Sequence, residues 1–126
     1  MQKTVIETKN APAAIGPYAQ GIKIGEIVYT SGQLPIDPKT GELINDIKGA
    51  TRQSLENVKA VLEAGGSSVG NIVKVLILLS DINDFAAMNE VYDEFFKGTE
   101  YPARSAFEVG KLPRNALIEI EAIGHI

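Results

Sequence analysis

Two glutamates near the end of the sequence have a spacing that could support acid–base chemistry. Glu119 and Glu121 are separated by one residue within an apolar segment, so in a β-strand their side chains share a face, about 6.5–7 Å apart at the backbone. Partial burial beside Leu117 and Ile123 and the proximity of two like charges would raise the pKa of a carboxyl group toward values that suit proton transfer. The alternative is a solvated edge strand with two glutamates that have no chemical role. The spacing alone leaves both interpretations open.

An arginine, a tyrosine and a serine are further candidates. Arg104 is a lone cation among small and apolar residues, and its planar fork could either pair with a structural glutamate or bind a ligand carboxylate at two points. Tyr18 lies in the loop Ile15–Gly21, where glycine and proline frame an aromatic hydroxyl. Such loops often frame binding sites, although a surface tyrosine is the common alternative. Ser31, which ends a predicted strand, is a weak signal when taken alone.

The residue types that are missing exclude several kinds of active site. The 126 residues include no cysteine and a single histidine, His125, which excludes disulfides, thiolate nucleophiles, cysteine-based zinc sites and metal sites built from several histidines. A Ser–His triad with an internal histidine is excluded for the same reason. The glycine-rich dinucleotide and P-loop motifs and the nucleophile elbow are also absent. Active sites that depend on these residues or motifs are therefore excluded.

The charge and hydrophobicity of the chain limit its partners and its location. Twelve Lys and Arg against sixteen Asp and Glu give a net charge of −4 without a basic cluster, so we expect neither nucleic acid nor an anionic membrane as a partner. The segment after Met1 lacks the apolar region of an export signal, and the longest apolar run, Val75–Leu79, is far too short to cross a bilayer. These features predict a cytoplasmic protein. The 44% hydrophobic content suits one packed domain, residues 1–126.

Hydrophobic patterns and turn residues predict six strands and two helices. Asp46 is placed to cap the first helix, which ends at the Gly65–Gly66 pair, and a second helix is expected from about Asp84 to Lys97. The predicted strands are Thr4–Glu7, Ile22–Ile24, Ile27–Ser31, Ile72–Leu79, Ala103–Val109 and Leu117–Ile123. The resulting order, β-ββ-α-β-α-ββ, predicts an α+β sandwich in which both helices cover one face of a sheet of about six strands.

The strand between the two helices is apolar on both faces. The alternation places Leu76 and Leu78 opposite Val73, Val75, Ile77 and Leu79, so both sides of this strand favour burial. Two helices can cover only one face of such a sheet, and a second copy of the chain is the economical candidate to cover the other. Flanking long loops are the alternative. The pattern therefore predicts a homo-oligomer.

Four segments of the sequence together resemble the signature segments of the RidA family. They are Asn10–Gly21, Thr30–Gln33, Tyr101–Ser105 and Ile118–Ala122, and the resemblance extends over essentially the whole chain. It implies a chorismate-mutase-like α+β fold that assembles as a homotrimer with ligand sites in the clefts between subunits. It also implies hydrolysis of 2-enamine and 2-imine acids, such as 2-aminoacrylate, 2-iminopropanoate and 2-iminobutanoate, to 2-keto acids and ammonia, with no cofactor and no metal.

The resemblance assigns roles to five positions. Arg104 matches the arginine that binds the substrate carboxylate, and Glu119 matches the glutamate that positions or activates the hydrolytic water. Tyr18 and Ser31 match residues that line the site. Many members have a cysteine two residues after the arginine, where this chain has Ala106; its backbone N–H can still serve the pocket, while the shape of the pocket is left open.

Two other functions compete with deamination. The first is a regulatory trimer that binds a small metabolite at Arg104 without turnover, since a fold resemblance does not separate binding from catalysis. The second is the RNA-cleaving role attached to some family members. Three copies would triple the net charge of −4, which disfavours contact with phosphates.

Overall fold

The computed structural model describes residues 1–126 and contains six strands and two helices. The strands are β1 (Lys3–Ile6), β2 (Gly21–Ile24), β3 (Ile27–Thr30), β4 (Ile72–Leu79), β5 (Ala103–Glu108) and β6 (Ile118–His125). The helices are α1 (Ile47–Ala64) and α2 (Phe85–Phe95). The predicted element order is confirmed, and the boundaries differ from the predicted ones by up to two residues.

Local sequence signals account for the ends of α1. The side chain of Asp46 accepts a hydrogen bond from the Gly49 amide at 2.8 Å, which satisfies one of the unpaired donors of the first turn. At the other end Gly66 has a φ of +92°. The Gly66 amide bonds to the Glu63 carbonyl and the Ser67 amide to the Leu62 carbonyl, the two hydrogen bonds of a Schellman motif. The glycine pair therefore ends the helix as predicted.

The six strands form one mixed sheet in the order β1-β2-β3-β6-β4-β5. β4 and β5 are parallel, and all other neighbours are antiparallel. The last strand in the sequence, β6, thus inserts between β3 and β4, while β5 becomes an edge strand. This order decides where each candidate residue lies.

The core fills the space between the sheet and the helices. Leu55, Val58 and Leu62 of α1 are at most 1% exposed, as are Ile77 and Ile120 of the sheet. Each such side chain contributes roughly 1.5–3 kcal/mol when it is fully buried. Neither helix combines the length and the hydropathy needed to cross a bilayer.

The other face of the sheet has no layer of the same chain over it. Leu76 and Leu78 point to this side and are only half-buried, and Tyr29 and Phe107 are 42% and 48% exposed. We call this surface the open face. The predicted alternation is interrupted at Val73, which is 46% exposed because the register shifts between Ile72 and Lys74. The open face is therefore apolar over much of its area, as the sequence predicted for β4.

Candidate active site

Glu119 lies on the open face, at a point where two strands separate. It is paired with Leu78 of β4, whereas its neighbour Ile120 faces the core and is fully buried. β3 pairs with β6 only as far as Tyr29, after which the hydroxyl of Thr30 accepts the hydrogen bond of the Ala122 amide at 3.1 Å. The Thr30 side chain replaces the backbone acceptor there. The backbone of β3 can therefore separate from β6 while the buried Ala122 amide keeps a hydrogen bond.

Gly32 occupies the space that this departure opens beside Glu119. A Cβ atom at Gly32 would lie 2.7 Å from Cδ of Glu119, closer than non-bonded carbons approach. Two hydrogen bonds between Gln33 and Ile120 then rejoin the strands, at 2.7 and 3.1 Å. The Glu119 carboxyl group therefore rests against a backbone segment that has no side chain.

The surroundings of Glu119 favour its protonated form. Partial burial raises the pKa of the Glu119 carboxyl group above its ordinary value, and the negative charge of Glu121 raises it further. No protein group donates a hydrogen bond or forms an ion pair with it. Glu121, two residues along on the same face, is exposed. The prediction from sequence that burial and like charge would raise a carboxyl pKa here is confirmed in direction for Glu119.

Tyr18 and Glu119 line one cavity of about 340 Å³ on the open side of the sheet. Its remaining wall is largely apolar and includes one cation, Arg114. The loop that carries Tyr18 is held by Gln20, which is 4% exposed. The Gln20 side chain accepts from the Thr8 amide at 2.8 Å and donates to the carbonyls of Thr8, Ala11 and Pro12. This amide therefore positions the tyrosine loop over the cavity.

Ser31 connects the end of β3 to the tyrosine loop. Its hydroxyl donates to the Ala19 carbonyl at 2.5 Å, and its amide donates to the Gln20 carbonyl at 2.8 Å. Because the hydroxyl hydrogen is engaged with Ala19, only its lone pairs face other groups. Ser31 lies next to Gly32, which lines the Glu119 cavity.

Arg104 lies in a different place, on the helix side of the edge strand β5. It pairs with Val75, and its guanidinium stacks over Tyr92 of α2 at 4.7 Å and over Phe85 at 5.6 Å. Nη1 donates to Oδ1 of Asn89 at 2.7 Å. No carboxylate pairs with Arg104, so the structural Arg–Glu pair that the sequence left open is not formed in the protomer.

The Arg104 guanidinium faces a second cavity, of about 310 Å³. Tyr92, Tyr101 and Asp93 line it, and the Tyr101 hydroxyl donates to the Asp93 carboxylate. Burial raises the pKa of Tyr92 to about 12, against a smaller opposing effect of Arg104, and the buried Tyr92 hydroxyl has no hydrogen-bond partner. The arginine is thus held by stacking, by the Asn89 amide and by a weak contact of Nη1 with Sδ of Met88 at 3.9 Å, and no carboxylate pairs with its fork.

Ala106 follows on the same strand face as Arg104 and packs against the core. Its amide points away from β4, because the Val109 amide donates to the Leu79 carbonyl and the direction of backbone amides alternates along a strand. The Ala106 N–H is therefore presented at the free edge of the sheet.

Comparison with known proteins agrees with this architecture. Residues 8–126 match the family described as endoribonuclease L-PSP. The chain is 45% identical to a solved RidA from the Antarctic bacterium Psychrobacter sp., with a TM-score of 0.93 over 98% of this chain and 99% of that one. The chain belongs to the RidA family.

Other RidA-family relatives match over nearly their whole length. The 2-iminobutanoate/2-iminopropanoate deaminase of Salmonella typhimurium is 55% identical over 125 residues, which cover 98% of this chain and 97% of the relative. The crystal structure of E. coli TdcF with bound serine has a TM-score of 0.95 at 50% identity and covers 98% of both chains. The family resemblance and the α+β fold class predicted from the sequence are thereby confirmed.

Within one protomer of this RidA-family chain, the predicted site residues fall into two groups. Tyr18 and Glu119 line the cavity of the open face, and Ser31 lies beside it as the neighbour of Gly32. Arg104 and Ala106 lie on the opposite face of the sheet, two strands away from β6. The fold therefore does not bring the arginine and the glutamate of one protomer together.

Several residues around these RidA-family cavities were not singled out in the sequence. Gln20, Gly32 and Asn89 position the candidate residues, and Arg114 lines the Glu119 cavity. Gln20 and Gly32 do fall inside the signature segments, which is a signal that could have found them. Asn89 lies four residues after Phe85 and three before Tyr92, at the border of the apolar face of α2, and a polar residue at such a position is a signal that could have found it. No three His, Cys, Asp or Glu side chains gather closely enough to hold a metal ion.

Proposed function

We propose that this protein is a homotrimeric deaminase that hydrolyses 2-imino and 2-enamino acids to 2-keto acids and ammonia. Membership of the RidA family supports this function, as do the names of relatives at 54–55% identity, 2-iminobutanoate/2-iminopropanoate deaminase. The substrates are small acids such as 2-iminopropanoate and 2-iminobutanoate.

One observation carries the proposal for the site. A carboxyl group with a raised pKa and an arginine without a carboxylate partner lie on opposite faces of one sheet. A second copy that covers the open face can bring its own Arg104 to the Glu119 cavity of the first. The apolar open face favours such contact. We therefore place each site between two subunits, with Glu119, Tyr18 and Ser31 from one subunit and Arg104 and Ala106 from the next.

Arg104 holds the carboxylate of the substrate. Its planar fork matches a carboxylate at two points, and the contacts with Tyr92 and Asn89 fix the orientation of that fork. When one end of a small acid is fixed, its C2 atom is held in a defined position in the site. For a reaction that water already performs unaided, such positioning accounts for much of the rate acceleration.

Glu119 moves the protons of the reaction. As a carboxylic acid it protonates C3 of the enamine, which gives the iminium form of the imine. As the resulting carboxylate it takes one proton from the water that adds to C2 of the iminium, which gives a neutral carbinolamine. It then passes that proton to the nitrogen and takes up the hydroxyl proton as the C–N bond breaks, so that ammonia leaves, the keto group forms and the carboxylic acid is restored. A carboxyl pKa raised from its ordinary range suits a group that must both give and take a proton.

The experiment generates the substrate in place. A PLP-dependent dehydratase acting on serine or threonine supplies 2-aminoacrylate or 2-iminobutanoate, and keto-acid release is followed with and without the protein. We expect wild type to accelerate the release above the buffer rate. Arg104→Ala should abolish this acceleration while the fold persists, and Arg104→Lys should restore little because a point charge does not reproduce the fork.

A matched control removes another arginine. Arg52 forms an ion pair with Glu94 on the helix surface at 2.9 Å and lines neither cavity, so Arg52→Ala should retain wild-type turnover. Wild type that binds 2-oxobutanoate without accelerating keto-acid release would support the regulatory function instead. Tight, salt-sensitive binding of RNA would contradict the argument from net charge and favour the RNA-directed function.

A further inference from the structure

The turn between β5 and β6 has a strained backbone at an arginine. Arg114 has a φ of +58° and Asn115 a φ of +55°. Asparagine tolerates this left-handed conformation, whereas for arginine the Cβ atom makes it unfavourable. The turn is anchored on both sides, since Leu112 and Ala116 are 7% and 1% exposed, and the amides of Asn115 and Ala116 bond back to the Leu112 and Pro113 carbonyls at 3.2 Å. The position of Arg114 is thus rigidly set.

The strained turn places Arg114 at the wall of the Glu119 cavity. Arg114 is the cation and Glu119 the anion among the residues that line this cavity. The side chain of Arg114 is exposed and makes neither an ion pair nor a hydrogen bond with any other group. An unpaired guanidinium at a cavity wall retains its full capacity to attract an anion.

The other charges of the protein are unfavourable for an anionic ligand at this cavity. The proposed substrates are carboxylates, the chain carries a net charge of −4, and Glu119 and Glu121 share the face that the substrate approaches. These charges repel an anionic ligand from the cavity. A cation on the wall of the same cavity offsets that repulsion locally.

We propose that Arg114 is a specificity residue that draws carboxylate ligands into the Glu119 cavity and selects them over neutral analogues. The inference rests on the proposed function, because it concerns the same site and the same class of substrate. It assigns Arg114 an effect on affinity and none on the proton-transfer steps, which belong to Glu119.

The test measures binding of a stable ligand in full-length protein. Titration calorimetry compares 2-oxobutanoate, the keto acid formed from 2-iminobutanoate, with its neutral amide at low and at high salt. Arg114→Gln should weaken binding of 2-oxobutanoate about threefold to fivefold at low salt, with the difference largely lost near 0.5 M salt, about where exposed charges are screened. Binding of the amide should not change, and Arg114→Lys should retain most of the affinity.

Two control variants separate charge from structure. Lys111→Gln removes an exposed cation of the same loop that does not line the cavity, so it should leave the affinity unchanged. Arg114→Gly relieves the left-handed backbone as it removes the charge, so its melting temperature should rise while its affinity for 2-oxobutanoate falls.

Each outcome of the titration decides the inference. Equal affinity of Arg114→Gln and Lys111→Gln would overturn it, as would a loss that persists at high salt or a wild-type protein that does not bind 2-oxobutanoate. A salt-dependent loss specific to Arg114 together with absent imine hydrolysis would leave this inference standing and reject the deaminase function.

Discussion

Glu119 and Glu121 are equivalent by strand alternation but not by environment. Both project from β6 to the open face, yet only Glu119 is partly buried against Gly32 and lines a cavity. Burial raises the pKa of Glu119, and Glu121 adds a smaller effect through its charge. This environment supports the proposed acid–base role for Glu119 and not for Glu121.

Replacing each glutamate by glutamine tests this division. Glu119→Gln keeps the shape and removes the titratable group, so turnover should fall by a factor on the order of 10²–10⁴. The pH profile of turnover should also lose one ionisation. Glu121→Gln should reduce turnover far less. Equal losses would mean that the two carboxyl groups act as one coupled unit, and a fully active Glu119→Gln enzyme would refute the acid–base role.

The same raised pKa predicts how stability depends on pH. The folded state holds the Glu119 proton more tightly than the unfolded chain does, so this group stabilises the fold fully below its ordinary pKa of 4.5. That contribution is lost as the pH rises through the raised value. Urea unfolding across this range should show wild type losing stability relative to Glu119→Gln as the pH increases. A constant difference between the two proteins would contradict the raised pKa.

The departure of β3 from β6 creates the space for the candidate site. Thr30 satisfies the Ala122 amide in place of the ladder, and Gln33 restores the pairing. Between them Gly32 leaves room for the Glu119 carboxyl group. The cavity is therefore a consequence of how two neighbouring strands separate and rejoin.

Gly32→Ala should displace Glu119 without unfolding the protein. The added Cβ would lie 2.7 Å from Cδ of Glu119, and the backbone of Gly32 is not in the left-handed region, so the flexible carboxyl end is the part that moves. We expect turnover to fall at least tenfold, since misplacement of a catalytic group by about 1 Å is enough for large losses. The melting temperature should change little.

A matched glycine variant checks this interpretation. A Cβ atom added at Gly110 would meet no other atom within 4 Å, and the Gly110 backbone is not left-handed, so Gly110→Ala should leave turnover unchanged. A Gly32→Ala enzyme with wild-type turnover would show that the exact position of Glu119 does not limit the reaction.

At the scale of the whole molecule, one protomer does not form the complete proposed site. The open face exposes Tyr29 and Phe107, and the proposed site needs Glu119 from this face and Arg104 from the other. In a cyclic trimer every interface is the same, so three equivalent sites would form, each from two subunits.

Subunit mixing tests such shared sites directly. Arg104→Ala and Glu119→Gln trimers should each be inactive, whereas trimers assembled from an equal mixture of the two chains should recover about a quarter of wild-type activity, because one site in four then has an intact residue of each kind. Sedimentation checks the trimer mass of the mixture. Preformed mutant trimers that are mixed without reassembly are the control and should stay inactive. No recovery after reassembly would place the site within one subunit.

Much of the fold is encoded in short-range patterns and was predicted from them. Asp46 and the Gly65–Gly66 pair end α1 where expected, because caps depend on neighbouring residues alone. The two apolar faces of β4 predicted that the sheet face away from the helices is apolar, as the open face is. The family was also identifiable from sequence, since several ordered motifs occur together.

The arrangement of the candidate site depended on strand order, which no local pattern contains. Whether Arg104 and Glu119 share a face is determined by the parallel pairing of β5 with β4 and the insertion of β6 beside β3. These pairings join residues far apart in the sequence, and side-chain alternation fixes the face of a residue only once the register is known. The amino-acid sequence by itself determined the elements, their caps and the residue types available for chemistry. The tertiary structure alone decided that the arginine and the glutamate of one chain lie on opposite faces, because long-range strand pairing sets the side of the sheet to which each one points.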